Sequence, residues 1–104
     1  MYERLVSIST EAFTARAYET AYHALAAALH CAQDAGNEDQ ISGAGRFAQE
    51  QNAWIDANDS AHRLSTESAR ARGHESVYSS LGKQARTTIL LVKSERLTKA
   101  RKGR

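Results

Sequence analysis

The 104-residue chain has no proline, one cysteine, and no long apolar run. Without proline, nothing in the sequence obliges a helix to break, and alanine, the commonest apolar residue, loses the least entropy on entering one. These features predict an all-α fold. With Cys31 alone, no intrachain disulfide can form. Met1-Tyr2-Glu3-Arg4-Leu5 also lacks the basic-then-apolar form of a secretory leader, so a cytoplasmic location is expected. The longest apolar run in helix-like sequence, Ala24 to Leu29, is far short of the ~20 residues a bilayer span needs, and no membrane contact is expected.

Catalytic and cofactor signatures are also missing. There is no GxSxG and no dinucleotide glycine pattern, and Gly43-Ala44-Gly45-Arg46 is too short for a phosphate loop. Those glycines instead permit close helix approach or loosen the first turns of their segment. His30 and Cys31 are consecutive, about 100° apart on a helix, and therefore do not form a nucleophile pair. His23, His30 and Asp34 share a stripe with Glu19, yet a bundle metal site draws ligands from two helices, and His62 and His74 stand alone. The expectation is no enzyme activity, no metal and no cofactor.

What is present is helical periodicity, divided by Gly36 and Gly73 into three segments. In the first, Ala15, Tyr18, Tyr22, Leu25, Leu29 and Ala32 step by three and four residues along one stripe. A mostly small stripe, Phe13, Ala17, Ala21, Ala24, Ala28 and Cys31, lies beside it. Such a helix touches two neighbours. The second segment opens at Asn37, a capping residue followed by acidic ones, and Phe47, Trp54, Ala57, Ala61 and Leu64 continue in heptad phase with Glu50 as a discord. Asn58-Asp59-Ser60 is a candidate stop and restart. From Asp56 to Ser76 the only large apolar residue is Leu64, which predicts a poorly anchored stretch. In the third segment Tyr78, Leu81, Ala85, Thr88 and Val92 form a stripe. Residues 87–92 also suit a strand, but no second strand exists to pair with them.

The architecture expected is an antiparallel bundle of three long helices over residues 1–97 with a basic tail at 98–104. Four helices result if the second segment breaks near Asn58. Tyr18-Glu19-Thr20-Ala21, Leu25 and Ala28-Leu29, with Leu5, Ile8 and Ala12 upstream, resemble one tetratricopeptide repeat over residues 2–35. That resemblance implies a helical hairpin array and a turn near Arg16 or Ala17, where the three-helix reading has a continuous helix.

The function expected is non-catalytic protein–protein contact. Ile89, Leu90 and Leu91 belong to an apolar run too wide for one helix neighbour, so either a bend or the Met1 to Val6 segment covers them or they are the candidates for self-association as a homodimer. Trp54, beside Asp56 and Asp59, and Leu64 are the candidates for a heterologous partner. The alternative is a nucleic-acid accessory role. Lys93, Arg96, Lys99, Arg101, Lys102 and Arg104 give residues 93–104 a net charge of +5 in a chain of +2 overall. No aromatic residue is interleaved with them, so nucleic-acid binding would be weak and salt-sensitive.

Overall fold

The computed structural model describes residues 1–102 in backbone and residues 1–97 in side chain. Those residues form five helices and no strand: α1 (Tyr2–Thr14), α2 (Tyr18–Ala35), α3 (Glu38–Asn58), α4 (Thr66–Ala71) and α5 (Val77–Lys102). The all-α expectation holds, and residues 87–92 are helical. The three-long-helix arrangement does not hold, because the first segment turns at Arg16 and the second stops at Asn58.

One closure motif ends three of the helices. At Gly36 and Gly73 the backbone adopts φ of 63° and 73°. In each case that residue's N–H bonds the carbonyl three back, and the next N–H reaches the carbonyl five back, as in Asn37 N to Ala32 O at 3.1 Å and His74 N to Ala69 O at 2.8 Å. Arg16, at φ 63°, repeats this geometry, with Ala17 N bonded to Ala12 O at 2.8 Å. A side chain in this left-handed region crowds its own backbone, a cost glycine avoids. Arg16→Gly is therefore expected to raise stability by roughly 0.5–1 kcal/mol in urea denaturation. No gain would mean that Arg16 contributes contacts that offset its backbone strain.

The helices pair as two hairpins, α1 with α2 and α3 with α5, joined where α2 packs on α3. α2 is central. Its Tyr18, Leu25, Leu29 and Ala32 meet Ile41, Ala44, Ala48 and Ile55 of α3 and Tyr78, Leu81 and Ala85 of α5 in one core. On its alanine side Ala21 and Ala28 are wholly buried, Ala24 and Cys31 are half-buried, and Ala17 is exposed. The buried face of α3 differs from the expected stripe. Ile41, Ala44, Ala48, Gln51 and Ile55 point inward, while Phe47 is half-buried and Trp54 and Ala57 are exposed. The discordant polar residue of the core phase is Gln51, not Glu50, and the larger aromatics of the adjacent phase drew the sequence reading away from it.

Gln51 is held by a buried polar contact across three helices. Ser9 Oγ donates to the Ala21 carbonyl at 2.7 Å and accepts from Gln51 Nε2 at 3.0 Å, which locks α1 and α3 to α2. Burial of Ser9 is thereby compensated.

The connection between α3 and α5 is anchored, though by polar groups. Asp56 accepts from Thr66 N and Thr66 Oγ1 at 2.8 and 2.7 Å, and Asn52 accepts from Ser76 Oγ at 2.9 Å. Ser65 caps α4 by accepting from Ser68 N at 3.0 Å, and donates to the Ser60 carbonyl at 2.6 Å. A hydrophobicity pattern does not register such ties.

The molecule is extended, 55 × 31 × 16 Å, with a radius of gyration of 15.4 Å. About 13 Å is usual for this length. A body so thin leaves helix faces uncovered.

Candidate interaction surfaces

α5 lies antiparallel to α3, a register marked by Ser76 bonded to Asn52, Gly82 beside Gln49, Ala85 against Gly45 and Arg96 paired with Glu38 at 3.1 Å. Tyr78, Leu81 and Ala85 face inward, and Thr88 accepts from Gln33 Nε2 of α2 at 2.7 Å. Tyr78 donates to the Tyr18 carbonyl at 3.2 Å, and burial pushes its phenol well above the usual tyrosine range, so it stays a donor.

The expected self-association residues divide between the two faces of this helix. Ile89 is half-buried and packs on the core together with Val92. Leu90 and Leu91 point outward, 68% and 60% exposed, and Leu97 is 64% exposed. Leu97 lies seven residues beyond Leu90, two turns along the same side of the helix. The sequence reading passed over Leu97, although its heptad spacing from Leu90 was a usable signal. α3 flanks the inner side of α5 as far as Arg96, which pairs with Glu38, and the exposure of Leu90, Leu91 and Leu97 leaves the outer side uncovered among the described residues.

Trp54 is 39% exposed, its inner edge packed against Phe13 at 5.5 Å and Tyr18 at 6.0 Å between ring centres. Leu64 packs on the core from the α3–α4 connection. The Asp56 carboxylate is committed to Thr66, and Asp59 lies by the buried Tyr18 hydroxyl.

Among the basic residues, Lys93 is exposed and Arg96 is engaged by Glu38. The side chains of Lys99, Arg101 and Lys102, and Arg104 as a whole, lie outside the described residues. His23, His30 and His74 are exposed, while His62 sits edge-on to the Tyr18 ring at 4.8 Å. Glu19 pairs with Arg63. Among the described residues no three histidine, cysteine, aspartate or glutamate side chains gather as a metal site, and no helix is long and apolar enough to cross a membrane. Cys31 is half-buried and unpaired. The chain matches no protein-family model, no curated protein and no solved structure.

Proposed function

We propose that this chain is a non-catalytic interaction protein that works by helix-to-helix contact, and that the outer face of α5 receives the same face of a second copy. The observation that carries the reading is the outward exposure of Leu90, Leu91 and Leu97 on one helix. A leucine fully taken from water contributes about 1.5–3 kcal/mol, and a two-fold pairing of α5 withdraws each of these leucines twice. A cytoplasmic setting suits a chain with a single unpaired cysteine.

Two arrangements support a second, structural reading, a tetratricopeptide-like hairpin array. α1 and α2 turn at Arg16, and two hairpins stack side by side. Repeats of this kind bury their faces by stacking further units, and a second copy would serve as one. The nucleic-acid alternative rests on Lys93, Arg96 and the basic residues after them, and the pairing of Arg96 with Glu38 weakens it.

Sedimentation equilibrium tests the self-association. The wild-type chain is expected to dimerise in the micromolar range, and the Leu90→Glu/Leu97→Glu variant to sediment as a monomer with unchanged helicity. A wild-type chain that stays monomeric at high concentration would sink the proposal.

A further inference from the structure

The Gly43-Ala44-Gly45-Arg46 stretch lies on α3, one wall of a cavity of about 320 Å³ between α3 and α5. Gly45, Gly82 and Ala85 form its floor, and Arg46, Gln49 and Arg86 line its sides. The floor is closed because α3 and α5 nearly touch there, a Cβ on Gly45 falling 3.0 Å from that of Ala85. A smaller space of about 180 Å³ shares Gln49, Gly82 and Arg86 and is also lined by Asn52 and Ser79. No carboxylate lines either space.

The two arginines are unspent. The ion pairs among the described residues use Arg63, Lys83 and Arg96, and neither Arg46 nor Arg86 takes part in one. Arg86 Nη1 lies over Gly82, 3.8 Å from where a Cβ would stand, so its guanidinium is drawn back along the groove. Arg46 Nη2 lies 3.9 Å from the corresponding point on Gly43. Beside Arg46 is the Tyr2 phenol, which burial, opposed by Arg46, holds above its ordinary pKa and therefore uncharged near neutrality. Two exposed arginines thus line one recess to which no carboxylate contributes.

We propose that this groove binds a small phosphorylated compound, with the phosphoryl group held between Arg46 and Arg86. A phosphate dianion neutralises both guanidiniums, whereas a single carboxylate neutralises one, and guanidinium forks match phosphoryl oxygens two bonds at a time. Gln49 adds an amide group for the remainder of the ligand, while Asn52 and Ser79 are bonded to Ser76 and Glu75. The cavity stands at the small end of ligand sites, which run from ~300 to ~1,000 Å³, so the organic part is small. This site is separate from the outer leucine face of α5 and does not depend on dimerisation.

The test is a titration of the full chain, at constant ionic strength, with inorganic phosphate, glycerol 3-phosphate and acetate, read from the Gly45 and Gly82 amide and arginine Nε–H resonances. Saturable shifts confined to the groove are expected, tighter for glycerol 3-phosphate than for phosphate and at least about tenfold weaker for acetate. Arg46→Gln and Arg86→Gln, each with unchanged circular dichroism, are expected to weaken phosphate binding about tenfold or more, while Arg70→Gln on α4 leaves it unchanged. Shifts that do not saturate, that chloride reproduces, or that persist in either groove variant would overturn the assignment.

Discussion

Tyr18→Ala is expected to lower stability by about 3–5 kcal/mol, the range for truncating a buried aromatic side chain. The tyrosine is 1% exposed at the first turn of α2, where its ring meets Phe13 of α1, Trp54 of α3 and His62 of the α3–α4 connection, with ring centres 5.0, 6.0 and 4.8 Å away. One side chain therefore fills the junction of both hairpins. Against a total stability of roughly 5–15 kcal/mol for a domain of this length, the loss is a large fraction. The thermal midpoint is expected to fall by on the order of 20 °C. Tyr18→Phe separates packing from polarity. The Tyr18 hydroxyl is buried beside Asp59 without a hydrogen bond of ordinary geometry, and burial first, then the Asp59 charge, raises its pKa and keeps it protonated. Removing that hydroxyl is expected to change stability by less than about 1 kcal/mol. A loss from Tyr18→Phe as large as that from Tyr18→Ala would show that the ring is not what holds the junction.

Gly45→Val is expected to cost about 2–3 kcal/mol, despite exchanging glycine for a residue with better helix propensity. Glycine in mid-helix ordinarily weakens the helix, but here the backbone of α3 sits so near α5 that even a Cβ would reach 3.0 Å from that of Ala85. A branched side chain has to push the two helices apart, and the separation spreads to Leu81 and Ile89 on either side. Because the obstruction is one methyl group, Ala85→Gly in the same chain is expected to recover more than about 1 kcal/mol of the loss. Urea unfolding of the two single variants and the double variant gives the coupling directly. Purely additive effects would refute close approach as the reason for a glycine at this position.

Legibility differed from element to element. The α2 core stripe, the inner face of α5, the Asn37 cap, which accepts from Gln40 N at 3.1 Å, and the closures at Gly36 and Gly73 all follow local rules, and all were readable. The closure at Arg16 was not readable from backbone propensity, because the same left-handed geometry was filled by a residue that does not favour it. Only the tetratricopeptide resemblance pointed to a turn there. The inward face of α3 was masked in a similar way. Its core phase contains Gln51, whose burial depends on Ser9, 42 residues away in sequence. Leu90 and Leu91 were legible as a surplus of apolar residues, whereas their separation from Ile89 depends on which side of α5 meets α3.

The sequence by itself determined the helical class, the ends of helices marked by glycine, the phase of α2 and α5, and a surplus of apolar surface on α5. Each of these is set by residues within a few turns of one another, where backbone sterics and 3.6-residue periodicity act. Tertiary structure alone decided the pairing into hairpins, the burial of Ser9 and Gln51, the commitment of Asp56 to Thr66, and the recess holding Arg46 and Arg86. Those features join residues from different helices, and a local pattern carries no information about which faces will meet or how closely two backbones will approach.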